Sequence, residues 1–262
     1  MTWDPQQYLA YADERSRPFF DLIGRIAARP DQVLSVVDLG CGPGQLTTQL
    51  ATRWPCADIV GIDSSPDMIT SARTLADAGS VRFEQADLRD WKPAGPLDVI
   101  ICNATLQWLA DHRELLLRFV SWLSPGGWLA FQVPGNFLRP SHRLLAELRT
   151  SPRWRDRVGD GADRHLAVAD PADYAHDLGG LGCSVDAWET TYIHLLTGDN
   201  PVLEWVKGTG LRPVLAALND EETTLFLSQY ADVLNNAYPS DERGVTPFAF
   251  RRIFVVAQRQ NG

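Results

Sequence analysis

A mostly parallel, doubly wound α/β sheet of seven strands is the fold that this chain of 262 residues predicts. Three observations carry it. Short β-branched runs alternate with stretches of helical spacing through the first half. The first of those runs ends in a cluster of glycines, as a buried strand does where it turns into a helix. The last two apolar runs, Val185–Leu195 and Phe250–Gln258, have no covering helix directly after them, so one of them, taken as the last, is expected to run antiparallel.

The elements follow in order. Asp4 to Arg17 is polar with aromatics, and Pro18 to Ala28 has helical spacing; together they form a helical lead-in. Val33 to Leu39 is the first strand, and Gln45 to Trp54 the helix that follows it. Asp58 to Asp63 is the second strand. Ser65 and Pro66 then read as N-cap and first helical residue. Val81 to Asp87 and Leu97 to Asn103 are the third and fourth strands. A helix from His112 to Leu123 is stopped by Pro125-Gly126-Gly127, and Trp128 to Val133 is the fifth strand.

The second half changes character. Asn136 to Leu166 is helical, polar and arginine-rich. Pro171 to Gly179 is a helix, Ser184 to Leu195 a strand, Asn200 to Pro239 helical, and Phe250 to Gln258 the last strand. The two helical stretches, about 136–167 and 197–246, both start at the carboxyl end of a strand. They are expected as lid insertions over that edge of a single domain spanning residues 1–262.

Composition narrows the functions. Hydrophobic residues are 45% and charged residues 22%, as in an ordinary globular protein. Lys plus Arg number 24 against 33 Asp plus Glu, a net charge of -9 that argues against nucleic acid or an acidic membrane as partner. No stretch approaches the ~20 apolar residues of a membrane span. Cys41, Cys56, Cys102 and Cys183 form no CxxC pair, and the 5 histidines show no ligand spacing, so no metal is expected. Widely spaced thiols and a leader without basic or apolar regions fit a cytoplasmic protein.

Asp38-Leu39-Gly40-Cys41-Gly42-Pro43-Gly44 carries the chemistry. Three glycines at a strand–helix turn let backbone approach a ligand. Asp63 ends the next strand 19 residues after Gly44, the distance at which an acid meets a ribose. These motifs resemble those of class I S-adenosylmethionine-dependent methyltransferases, with their Rossmann-like sheet. Gly61-Ile62-Asp63-Ser64-Ser65 is similar to the family's ribose-binding segment, and Gln85-Ala86-Asp87-Leu88 to its adenine-binding one. Asn103 stands where the family places a residue near the methionine part. The resemblance therefore implies cofactor contacts from Asp38, Gly40, Gly42, Gly44, Asp63, Ser64, Asp87, Leu88 and Asn103.

A narrower resemblance, to trans-aconitate methyltransferases, runs along nearly the whole chain. It is carried by Trp3-Asp4-Pro5 with Tyr8-Leu9 and Arg15 to Pro18, by Asn103 to Leu109, and by Pro134-Gly135-Asn136 with Pro140-Ser141-His142. Trp188 to Tyr192, Trp205 to Pro213 and Arg252 to Ala257 continue it. It implies methylation of a free carboxylate of a small tricarboxylate.

That chemistry asks for anion holders rather than a base, because a carboxylic acid with a pKa near 4 is already ionised at pH 7. No catalytic side chain is expected. Arg212, Arg252, Gln107, Gln132 and His142 are the candidate substrate contacts, with Arg251 and Arg252 read at the start of the last strand. Between Asn136 and Leu166 there are seven Arg against four acidic residues, a basic island that suits a polyanion. Most arginines in such a cluster nevertheless form a solvated face. Trp108, Trp188 and Trp205 read as packing residues, and Cys41 as inert. Three other readings compete: the malonyl thioester of a carrier protein as methyl acceptor, a nicotinamide-dependent oxidoreductase, and a sensor of S-adenosylmethionine. A carrier would need a basic docking face, and an oxidoreductase a different glycine spacing.

Overall fold

The structure, a computed structural model, describes residues 12–75, 81–158, 168–208 and 210–261, with backbone alone for 12–15 and Arg212. The resemblance carried by Trp3, Asp4, Pro5, Tyr8 and Leu9 lies outside the described residues. The described residues fall into two compact units. One lies within Met1–Val133, Ala167–Glu189 and Ile253–Gly262, the other within Pro134–Leu166 and Thr190–Arg252.

Seven strands form one sheet: β1 (Ser35–Leu39), β2 (Asp58–Asp63), β3 (Val81–Gln85), β4 (Leu97–Asn103), β5 (Leu123–Pro134), β6 (Cys183–Thr197) and β7 (Val245–Arg259). Their order is β3-β2-β1-β4-β5-β7-β6. Strands β1 to β5 are parallel, so their carboxyl ends share one edge. The chain winds outward from β1 to β3 and then returns to β4, which makes the crevice between β1 and β4 the switch point where such sheets bind ligands.

The last strand is antiparallel, as the sequence predicts. Gln260 N–H donates to Gly182 O at the start of β6, and Gln258 Nε2 to Gly126 O near the start of β5. Farther back along β7, Trp188 stacks on Phe254 at 4.9 Å.

In the first unit, helices α1 (Ala12–Gly24), α2 (Gln45–Arg53), α3 (Pro66–Arg73), α4 (His112–Trp122) and α7 (Pro171–Gly180) accompany the sheet, with one 3₁₀ turn at Leu106–Trp108. In the second lie α5 (Pro140–Thr150), α6 (Arg155–Val158), α8 (Pro201–Lys207), α9 (Arg212–Leu215) and α10 (Asp220–Ala237). The core of the first unit joins Val37, Ile100, Cys102, Leu116, Phe119, Leu129 and Phe131 to Ile253 and Val255 of β7. Ser65 caps α3, its hydroxyl accepting from Met68 N–H at 3.4 Å, with Pro66 as first helical residue.

Several boundaries differ from the sequence pattern. Helix α1 begins ahead of Pro18, which lies inside it. Strand β3 ends at Gln85, because Asp87 turns the chain by accepting from Arg89 N–H. Strand β5 starts at Leu123 and passes through Pro125-Gly126-Gly127. Gly126 takes φ 78°, and the register to β4 slips between Leu97 and Val99. Strand β7 starts at Val245, so Arg252 lies inside it and not at its start. Pro247 reads as a strand breaker, but here it sits at an exposed position of the strand.

Candidate functional site

The glycine turn is built from β1 downward. Asp38 is only 3% exposed, beneath the turn, where Oδ2 accepts the Thr47 hydroxyl of α2 at 2.6 Å. Burial pushes its carboxyl up to about 6, against the lowering effect of the Thr47 bond. Gly40 and Cys41 donate N–H bonds to Ile62 O at 2.7 and 2.9 Å, tying the turn to the end of β2.

Gly40, Gly42 and Gly44 take φ of 80°, 55° and 87°, where glycine is favoured. Their surroundings differ. A Cβ at Gly40 would lie 2.1 Å from Thr105 Oγ1, and one at Gly44 2.8 Å from both Ala72 Cβ and the Phe83 ring. A Cβ at Gly42 would meet nothing within 4 Å. Gly40 and Gly44 are glycines for the fold, whereas Gly42 borders open space.

Asp63 is oriented on both oxygens. Gly42 N–H donates to Oδ2 at 2.9 Å and Ser65 N–H to Oδ1 at 2.8 Å. Burial raises its carboxyl while these backbone bonds, with one from Ser64, hold it down. Three of its roughly four lone-pair sites are then taken, which leaves one for a further donor. Ser64 is exposed beside it. Register aligns Asp63 with Gln85, and two residues on stand exposed Asp87 and buried Leu88. Asn103 ends β4 opposite Gln132, whose Nε2 reaches Asn103 Oδ1 at 3.4 Å. The nine residues read as cofactor contacts thus all belong to the first unit, at or just after the carboxyl ends of β1, β2, β3 and β4.

In the segment after β4, Ala104 and Thr105 take parts that the sequence motif did not assign to them. Ala104 takes φ 53°, a left-handed conformation rare outside glycine, next to Asn103. Thr105 Oγ1 lies 3.3 Å from Gly40 O and 3.2 Å from Asn103 O, joining the glycine turn to the end of β4. Gln107 Nε2 donates to Ala104 O at 2.6 Å. Its Oε1 is buried and accepts no hydrogen bond among the described residues. Phe83 presses on both Gly44 and Gly61, where a Cβ would come within 2.6 Å of the ring. Only complementary size across strands signals Phe83 and Thr105.

The remaining candidates belong to the second unit. His142, on α5, meets Ser141 Oγ through Nδ1 at 3.2 Å and the Phe137 ring edge-on at 5.4 Å. Arg252 is buried, its guanidinium 4.8 Å above the Phe250 ring. Arg212 begins α9, and its side chain lies outside the described residues. Trp188 and Trp205 are packing residues, on Phe254 and on His194. Burial raises the Cys41 thiol far above neutrality, so it is no nucleophile at pH 7. Among the described residues, no three His, Cys, Asp or Glu side chains gather to hold a metal, and no helix is long and apolar enough to cross a membrane.

Comparison with known proteins adds the family. Residues 11–187 match the methyltransferase domain family. The trans-aconitate 2-methyltransferase of Streptomyces avermitilis is 51% identical over 99% of this chain and 97% of its own. That of Rhodococcus jostii is 52% identical over 98% of this chain and 100% of its own. Among solved structures, the YcgJ protein of Bacillus subtilis superposes with a TM-score of 0.62 at 15% identity, covering 94% of this chain and 99% of the other, a likeness of fold.

Proposed function

The chain belongs to the methyltransferase domain family and, within it, to the family of trans-aconitate 2-methyltransferases, and from that premise we propose that it esterifies a carboxylate of trans-aconitate with the methyl group of S-adenosylmethionine. One observation carries the cofactor half. Gly42 leaves open space at the turn and donates its N–H to Asp63, whose two oxygens are already aimed. Such an acid suits a hydroxyl of a ribose, and the open turn suits a ligand that must lie against backbone. Asp87 and Leu88 would hold the adenine, and Asn103 the methionine part. When bound, S-adenosylmethionine supplies a methyl group on positively charged sulfur, which needs no further activation. The substrate half is supported by similarity along the whole length to relatives that carry that name.

The residues of the chain then have two tasks. They hold an anion in line, and they keep water from it. No side chain needs to take a proton, because the attacking carboxylate is ionised at pH 7. Arg212 and Arg252 are the proposed holders of the carboxylates that are not methylated, since guanidinium groups pair with carboxylates through two parallel bonds. Gln107, Gln132 and His142 are proposed as their polar companions. Of these residues, His142 and Arg212 belong to the two helical insertions, which are proposed as the parts that bring them to the substrate.

The test is incubation with labelled S-adenosylmethionine and a panel of di- and tricarboxylates, with the ester identified by mass spectrometry. A monomethyl ester of trans-aconitate is expected. Transfer only to a different carboxylate, or to none, would overturn the substrate assignment.

A further inference from the structure

Resting on the reading of Arg252 as a carboxylate holder, we infer that Asn136 is a positioning residue that sets Arg252 for the substrate by taking the place of a strand where β5 has ended. Strand β5 stops at Pro134. One residue later Gly135 N–H still donates to Arg251 O at 2.9 Å. The Asn136 side chain then continues the ladder. Its Nδ2 donates to the same carbonyl at 2.9 Å, and its Oδ1 accepts Arg251 N–H at 2.8 Å.

Chemistry leaves one orientation for this amide. A carbonyl can only accept and an N–H can only donate, so a flipped Asn136 would set two acceptors and two donors against each other. The side chain is 1% exposed, so both bonds are shielded from water.

The consequence falls on the next residue. Successive side chains of a strand point to opposite faces. Fixing both polar groups of Arg251 therefore fixes the face on which Arg252 emerges. There the Arg252 guanidinium lies over the Phe250 ring, which limits the motion of a long side chain. A holder restrained in this way loses less freedom when it binds an anion. The Pro134-Gly135-Asn136 motif thus gains a role of its own: Pro134 ends the strand, Gly135 makes the last backbone bond, and Asn136 adds the side-chain pair.

A purely structural role would also use these bonds, so the test is a double-mutant cycle. Wild type, Asn136→Ala, Arg252→Ala and the double variant are compared by steady-state kinetics with trans-aconitate. Thermal unfolding and S-adenosylmethionine affinity are measured beside them. Asn136→Ala should raise KM for trans-aconitate about tenfold with kcat nearly unchanged, and should add nothing further once Arg252 is alanine. Asn136→Asp sets a second acceptor against Arg251 O, so it should raise KM at least as much as alanine; Asn136→Ser, which keeps a small polar side chain, carries the cycle if the alanine variant does not fold. An Asn136 effect of the same size with and without Arg252 overturns the inference and leaves the reading of Arg252 standing. Wild-type KM in Arg252→Ala overturns both, as does a wild-type chain that transfers no methyl group to trans-aconitate.

Discussion

Gly42 and Gly44 are two residues apart and share a left-handed backbone, yet a side chain at each would meet opposite surroundings. At Gly44 an added methyl strikes Ala72 and Phe83, which belong to a packed cluster with Cys41 and Ile69. Gly44→Ala should therefore cost backbone strain of about 1–2 kcal/mol and overpacking of about 1–3 kcal/mol, read by denaturant unfolding. Gly42→Val should cost mainly the strain and should abolish S-adenosylmethionine binding, because the side chain fills the open space. Normal binding by that variant would leave the turn a structural feature alone. Asp63→Ala removes the acceptor of both Gly42 and Ser65 N–H groups along with the proposed ribose contact. We expect calorimetry to show affinity lower by about 1.5–3 kcal/mol, roughly 10–150-fold. At this scale the glycines and Asp63 were legible, because spacing after a strand is a local signal. Phe83 beneath Gly44 and Gly61, and Thr105 against Gly40, were not. Their contacts cross from one strand end to another, and no pattern of neighbouring residues marks them.

Helices α4 and α7 are joined by a buried histidine. His112 Nδ1 lies 2.9 Å from Leu109 O, and that carbonyl can only accept, so the proton sits on Nδ1. Nε2 is then the acceptor for the Tyr174 hydroxyl at 2.8 Å, and Tyr174 oxygen in turn receives Ala169 N–H at 3.3 Å. Beside them Arg113 grips Asp177 with two bonds of 2.7 and 2.9 Å. Burial, the leading cause, holds the His112 imidazole below its ordinary value. The unfolded chain therefore takes up the proton first. The stability from neutral His112 is complete above about pH 6.5 and is lost as pH falls. We expect His112→Gln to flatten that acid loss in denaturant unfolding from pH 8 to 5. A variant curve parallel to wild type would assign the loss to other groups. Tyr174→Phe strands Nε2 and should cost about 1–3 kcal/mol at pH 7. Elements with local punctuation, such as the Ser65 cap with Pro66, were legible to the residue. Those that override punctuation were not: β5 runs through two glycines and β7 through Pro247, because pairing with neighbouring strands outweighs local preference.

For the molecule as a whole, alternation along the chain was enough to reveal the sheet. Charge was legible only as a sum. In the arginine-rich stretch, Arg157 pairs with Glu222 at 2.6 Å and Arg143 lies 3.7 Å from Glu147, while Arg153 stacks on Trp154. Glu222 offsets part of that net positive charge from outside the stretch, and such exposed pairs contribute little to stability. The turnover profile against pH gathers what is left. With no base to deprotonate, and with substrate carboxylates ionised, the rate should be level from about pH 7 to 8. Below that range Asp38 intervenes. Its carboxyl, raised by burial to about 6, becomes neutral as pH falls through 6, and the glycine turn loses the buried anion beneath it. A cofactor with positive charge on sulfur and nitrogen should then bind more weakly, so kcat/KM for S-adenosylmethionine should fall on the acid side. Stability should move the other way. The folded chain binds this proton more readily than the unfolded chain, so ionised Asp38 lowers stability at neutral pH by up to about 3 kcal/mol, a cost that disappears toward pH 4. Asp38→Asn keeps the shape, with its amide facing the Thr47 hydroxyl. It should unfold at higher denaturant than wild type at pH 7, bind the cofactor less tightly, and lose the acid limb of the profile. An acid limb that survives in Asp38→Asn and disappears in a histidine variant would instead reveal a catalytic imidazole, and the base-free mechanism would have to be abandoned.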